Sequence, residues 1–291
     1  MIRHWIEAMR LRTLPVSIAG VIAGIGCAIL VDSFKAVPAL LCLVFAILAQ
    51  IAANFGNEYY DFKNGIDKKG RVGFRRGVTE GEISPKAMKT ATFMTLGTAA
   101  AVGFTMLIYG PWWLIIAGIL IMCFALAYSG GPYPLSHHGL GDIAVIIFFG
   151  IVPVVLTWYL QTSSWDCIEF VIETSVAIGL LAANVLIVNN YRDMEDDAEA
   201  GKCTTVVIFG RKVMSIVYLL SGFIGMFVMT QVWLSMSVWS LAFPLIYLSL
   251  HIRTWHNLRQ SAGSAINPLL GRTAMNLLIF ALLFAGTCLM N

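Results

Sequence analysis

Two short stretches carry side chains able to do chemistry. Asn57-Glu-Tyr-Tyr-Asp61 and Asn189-Asn-Tyr-Arg-Asp193 share the pattern N-x-Y-x-D, and each arrives at the end of a long apolar run. Asn57 and Asp61 are four residues apart, as are Asn189 and Asp193, and Asp193 and Asp197. If the preceding helices continue through them, each set faces one side, and two polar faces can confront each other. Carboxylate and amide oxygens gathered this way suit Mg²⁺, which binds through one or two carboxylates plus substrate phosphates. Two such clusters imply a polyphosphate held between metal ions. For any single Asp near a helix end, the simpler account is a solvated interfacial residue. For Asp61, Asp67, Asp193, Asp196 and Asp197 together, the duplication, the spacing and the mutual repulsion of unneutralised carboxylates favour a bound cation.

Basic residues accompany the acids. Lys63, Arg71, Arg75 and Arg76 follow the first motif, and Arg192 and Lys202 lie within or just after the second. Guanidinium and ammonium groups there could take up charge from a departing diphosphate. Lys68, Lys69, Lys86 and Lys89 are read instead as contacts to anionic lipid.

The elements that must position these residues are membrane spans. Hydrophobic residues make up 58% of the 291-residue chain and charged ones 12%, against roughly 45–50% and 25% in soluble domains. Residues 90–141, 213–252 and 273–291 contain no Asp, Glu, Lys or Arg. Such runs are long enough for one or two spans each, and their lack of period-2 alternation excludes a barrel. The class is all-α. Cutting at charges, Gly/Pro clusters and turn residues predicts nine spans, near 14–31, 37–57, 88–109, 111–130, 141–161, 168–189, 213–233, 238–257 and 272–290. With the N-terminus in the cytoplasm, every Lys and Arg except Lys35 falls on the cytoplasmic side, the positive-inside signature. The C-terminus then lies outside, and the two long polar connections, 58–87 and 190–212, share the cytoplasmic face. No removable signal peptide is read in the opening residues. The whole chain, 1–291, is read as one domain.

The scattered cysteines are read as small hydrophobes. His4, His137, His138, His251 and His256 are taken as interfacial, and Trp5, Trp112, Trp113, Trp165, Trp233, Trp239 and Trp255 as an aromatic belt near span ends. No nucleic-acid partner is expected.

"NFGNEYYDFKNGID" and "NNYRDMEDDAEAGKCTT" resemble the two aspartate-rich motifs of the UbiA superfamily of intramembrane aromatic prenyltransferases. "RLRTLPVSIAG" at 10–20 and "YSGGPYPLSHHGLGD" at 128–142 are similar to segments of the branch that uses 1,4-dihydroxy-2-naphthoate, in menaquinone biosynthesis. The resemblance covers nearly the whole chain. It implies nine helices around a central cavity, capped by the two cytoplasmic loops, in the cell inner membrane. It implies Mg²⁺ on Asn57, Asp61 and Asp67 of the first motif and Asp193 and Asp197 of the second, with Arg192 and Lys202 near the diphosphate. Glu58 stands where many members have Asp, which puts a ligand role for it in question. Tyr128 is followed by Gly-Gly-Pro and not by the Lys/Arg pair of the 4-hydroxybenzoate branch. Asp142 is a candidate contact for the acceptor.

The implied reaction moves a polyprenyl group from its diphosphate to the naphthoate ring, with loss of CO₂ and diphosphate. Apolar walls would hold the tail and keep water from the allylic cation. Tyr128 and Tyr191 could offer ring faces to that cation, whereas Tyr60 is read as an interfacial anchor. The rival readings are a member acting on 4-hydroxybenzoate, haem or chlorophyllide, and a cation-coupled secondary transporter. Transport sites lie near the bilayer midplane, and these acids sit at span ends.

Overall fold

The computed structural model describes residues 2–70, 72–236 and 238–291. Among them there is no strand. Helix α1 (Ile2–Met9) leads through a 3-10 turn into α2 (Leu14–Ile29); α3 (Ala36–Lys63), α4 (Pro85–Met106) and α5 (Leu114–Ala127) follow. Next come α6 (Gly141–Val145) and α7 (Val152–Thr162), joined by a π-helical segment, Ile146–Ile151. The chain closes with α8 (Ile168–Glu199), α9 (Thr205–Val228), α10 (Thr230–Ser235), α11 (Ala242–Gln260) and α12 (Asn267–Met290).

Each of the nine predicted segments overlaps a helix. Among the described residues, six helical stretches are long and apolar enough to cross a membrane: Ile2–Ile29, Ala36–Lys63, Gly141–Thr162, Ile168–Glu199, Thr205–Val228 and Gly263–Met290. Helix α5 is apolar but has only 14 residues. Large hydrophobic side chains point outward on several helices, among them Ile108, Phe227 and Leu245, each more than 60% exposed. An outer surface of this kind is stable against lipid and not against water. The protein is an integral membrane protein.

Small residues bring the helices together where hydrophobic burial gives no drive inside a bilayer. α2 packs against α7 and α12, α3 against α4, and α8 against α9 and the π segment. A Cβ on Gly24 would stand 2.6 Å from the Val154 carbonyl oxygen and 2.8 Å from Thr157 Cβ. On Gly179 it would stand 2.7 Å from the Ile146 carbonyl oxygen and 3.1 Å from Ile146 Cα. Since the obstacle there is backbone, Gly179→Val must push α8 off the π segment. It is expected to cost about 1–3 kcal/mol or more, read as a lower melting temperature of the detergent-solubilised protein.

Two aromatic and polar expectations change in the core. Trp233 is no belt residue: it is 2% exposed and meets Phe280 and Phe284 edge-on. His251 is not interfacial either. It lies buried between the rings of Tyr218 and Tyr247, one ring nitrogen against the Leu219 carbonyl and the other against the Tyr247 hydroxyl. Both are buried among neighbouring helices. Cys27, Cys42 and Cys288 are buried; Cys123, Cys167 and Cys203 are exposed.

Candidate active site

α3 and α8 outrun the apolar core, and their polar ends make the site. Each ends in the same way, with a left-handed glycine four residues beyond an aspartate: Gly65 (φ 69°) after Asp61, and Gly201 (φ 73°) after Asp197. Glycine at this C′ position carries no Cβ penalty. The helices therefore run past Asp61 and Asp197 before they stop. Asn57 and Asp61 face a common cavity from α3, and Asn189, Asp193 and Asp197 face it from α8.

The cavity has a volume of about 400 Å³ and is walled by α2, α3, α4, α5, the π segment, α7 and α8. Its deeper part is apolar, with Phe45, Phe104, Phe124, Phe148, Phe149 and Leu160 among the lining side chains. Its polar end holds the acids together with Arg10, Arg76, Lys202, Tyr128 and Asp142.

Lys202 shows that the two motifs meet. Its Nζ is 3.7 Å from Asp61 Oδ2 and 3.8 Å from Asp197 Oδ1. Lys68, in the loop after α3, donates to Glu199 at the end of α8 at 2.9 Å. Arg192 grips Asp193 with both arms of its guanidinium, at 2.7 and 2.6 Å, and donates also to Asn189 and Asn267. In the 64–84 loop, Phe74 sits between two guanidiniums, with Arg12 at 3.7 Å and Arg192 at 5.0 Å from its ring centre. Arg76 reaches Asp67 at 3.2 Å.

Several expected site residues stand elsewhere. Lys63 is exposed beyond Asp61 and does not line the cavity, because a two-residue step on a helix turns a side chain by about 200°. Tyr191, midway between Asn189 and Asp193, points away for the same reason; it is 8% exposed and carries the Arg211 guanidinium 5.4 Å from its ring centre. Arg192 also lies outside the lining, and its charge is spent on Asp193. Asp67 is in the loop behind Arg76, Asp196 and Arg75 are outside the lining, and Arg75 pairs with Glu82. Arg71 lies outside the described residues. Tyr60 packs its ring against Gly130 and Tyr59.

Further residues at the site come from outside the two aspartate-rich motifs. His137, expected at the interface, holds Nε2 4.0 Å from Asp61 Oδ1; the 3-10 turn Leu135–His137 carries it there from the α5–α6 connection. Arg10 adopts a left-handed backbone (φ 52°), and Thr13 donates to its carbonyl from both N–H and hydroxyl. Ser17, Gln50 and Asn54 form a hydrogen-bonded chain along the cavity wall. The signal for part of it was present: Gln50, Asn54, Asn57 and Asp61 are spaced four, three and four apart, one polar stripe on an apolar helix. Asp142 accepts from Thr205 at 2.6 Å through one oxygen, while its Oδ1 is buried with no hydrogen-bond partner.

The donor set fits a hard divalent cation. Asn57 Oδ1 is buried with no hydrogen-bond partner, and Asp61, Asp193 and Asp197 add carboxylate oxygens at the same cavity end. Among the described residues, no three His, Cys, Asp or Glu side chains form a ready cage. A cation held by these residues would need substrate phosphates to complete its shell.

The structure thus sets acidic helix ends over an apolar cavity within a bundle of membrane-spanning helices. The chain belongs to the UbiA prenyltransferase family, whose sequence model matches residues 17–282. It is 34% identical over 290 residues to the 1,4-dihydroxy-2-naphthoate octaprenyltransferase of Escherichia coli (strain K12), covering 96% of this chain and 93% of that protein. It is 33% identical to the protein of the same name from Mycobacterium tuberculosis, covering 97% and 96%. Among solved structures, it is similar to a UbiA homolog from Archaeoglobus fulgidus bound to DMAPP and Mg²⁺. The TM-score there is 0.70 at 14% identity, covering 97% of this chain and 99% of the other.

Proposed function

We propose that this chain transfers a polyprenyl group from polyprenyl diphosphate to 1,4-dihydroxy-2-naphthoate, releasing diphosphate and CO₂ and giving the demethylmenaquinone skeleton. The observation that carries the chemistry is Lys202 within 4 Å of both Asp61 and Asp197, which brings both motifs to one mouth. The choice of acceptor rests on the relatives named above. The proposed arrangement is one domain over 1–291 with nine spans in the cell inner membrane. The N-terminus and the two capping loops are cytoplasmic and the C-terminus is outside, as the distribution of Lys and Arg supports.

Asn57, Asp61, Asp193 and Asp197 are the residues that would hold Mg²⁺, with Asp67 held in reserve behind Arg76. When bound, the ion supplies Lewis-acid neutralisation of the diphosphate. Lys202 and Arg76 line the mouth and offer charge-assisted hydrogen bonds to the departing oxygens. Arg192 keeps Asp193 in one rotamer. The apolar walls bind the tail and exclude water, so the allylic cation left when the C–O bond breaks meets the naphthoate ring before it meets hydroxide. Tyr128, at the cavity's polar end, presents a ring face to that cation. The ring carbon bearing the carboxylate forms the new C–C bond, and loss of CO₂ returns the bonding electrons to the ring. Asp142, with one oxygen tied to Thr205 and the other unpartnered, is placed to accept a hydrogen bond from an acceptor hydroxyl.

The test uses isolated membranes, labelled polyprenyl diphosphates of several lengths and each candidate aromatic acid. Prenylated naphthohydroquinone, recovered as the quinone after air oxidation, is expected with equimolar CO₂ in the presence of Mg²⁺, and none after chelation by EDTA. Transfer to 4-hydroxybenzoate alone would overturn the acceptor, and transfer undiminished by chelation would overturn the metal. Lys202→Gln is expected to raise KM for the prenyl diphosphate by on the order of tenfold, with little change in KM for the acceptor. Equal changes in both would remove Lys202 from the diphosphate site.

A further inference from the structure

Glu58, next to Asn57 in the first motif, does not face the cavity. Asn57 and Asp61 line it, and Glu58, one step of about 100° round the helix from Asn57, does not. Its side chain is nonetheless almost wholly buried, at 1% exposure. Glu58 Oε1 accepts the backbone N–H of Val78 at 3.0 Å. Val78 is itself 2% exposed, in an apolar cluster with Ala8, Phe55, Ile83 and Met88. It also begins a tight turn in which Glu82 and Ile83 both donate to the Gly77 carbonyl and Gly81 donates to Val78. Two residues before Val78 stands Arg76, which lines the cavity and pairs with Asp67.

We infer that Glu58 is a positioning residue: it fastens the 64–84 loop to α3 through Val78 and so sets Arg76 over the diphosphate end of the cavity, and it is not a metal ligand. The inference rests on the proposed diphosphate site for its functional part. The physical case is one of reach and direction. A hydrogen bond from a buried amide to a carboxylate is among the stronger ones, and leaving that amide unsatisfied is costly. An aspartate on the same backbone would fall short by one methylene, about 1.3 Å, enough to lose a 3.0 Å bond.

The anchoring and ligand roles rank two conservative variants in opposite order. Glu58→Gln removes the charge and keeps an oxygen acceptor for Val78. Glu58→Asp keeps the charge and withdraws it from Val78. Under the anchoring role, Glu58→Gln should keep KM for prenyl diphosphate and Mg²⁺ half-saturation near those of the parent. Glu58→Asp should raise that KM on the order of tenfold without moving the Mg²⁺ requirement, and Arg76→Ala should add little on top of it. Amide hydrogen exchange of the full-length protein in detergent supplies a readout independent of activity. Exchange across 72–84 should accelerate in Glu58→Asp and stay slow in Glu58→Gln. A Mg²⁺ half-saturation raised tenfold in Glu58→Gln, with Glu58→Asp behaving as the parent, would overturn the inference in favour of a ligand role. Unchanged exchange in Glu58→Asp would overturn it outright. If the parent transfers no prenyl group, the exchange result still decides the anchor, so failure of the functional reading shows separately.

Discussion

Asp61→Asn is expected to cut prenyl transfer on the order of a thousandfold while leaving the fold intact. Asp61 is 3% exposed, close to His137 and Lys202, and lies on the cavity-facing stripe of α3 that also carries Asn57. Asparagine preserves its shape and one acceptor oxygen, so packing should be kept. What is removed is the negative charge that balances Lys202 and would attract a divalent cation. The measurement is transfer of labelled prenyl diphosphate at saturating substrates, alongside a thermal melt in detergent. A variant that melts like the parent and keeps more than a tenth of its activity would take Asp61 out of the site.

The second large effect is on stability and activity together. Arg192 is 3% exposed, and its guanidinium serves two oxygens of Asp193, one of Asn189 and one of Asn267. It therefore joins α8 to the start of α12 and holds an acid that lines the cavity. Lysine has the charge but not the planar fork, and cannot span these acceptors at once. Arg192→Lys should lose about 1–3 kcal/mol, the scale for leaving buried hydrogen-bond partners unsatisfied. Transfer should fall with it, since Asp193 is freed to turn. A large drop in melting temperature with a parallel loss of transfer is expected. Unchanged melting would mean that Asp193 finds its place without this clamp.

Both effects concern acids that are legible in the sequence and cations that are legible only in part. Asp61 and Asp193 stand out because charge is rare in apolar runs and because the two motifs repeat. Arg192 was placed with the diphosphate on account of its position inside a motif. Its neighbour Asp193 and the distant Asn267 claim it instead, and Asn267 lies 75 residues away along the chain. Lys63 and Tyr191 show a different limit. Both sit inside the right sequence window, and helical rotation alone carries them off the working face.

By itself the sequence determined what depends on neighbours along the chain. It set the helical class, the apolar segments, and the four-residue spacing that gives α3 and α8 one polar face each. These follow from backbone hydrogen bonding in lipid and from 3.6 residues per turn, both local rules. Tertiary structure alone decided which polar groups those faces meet: Lys202 between two acids, His137 from the α5–α6 connection, Arg10 turned in by a left-handed backbone, and Glu58 fastened to Val78. It also decided that Trp233 and His251 lie inside. Contacts of that kind join residues tens of positions apart, and their energies depend on distance and burial, quantities that no spacing along a chain contains.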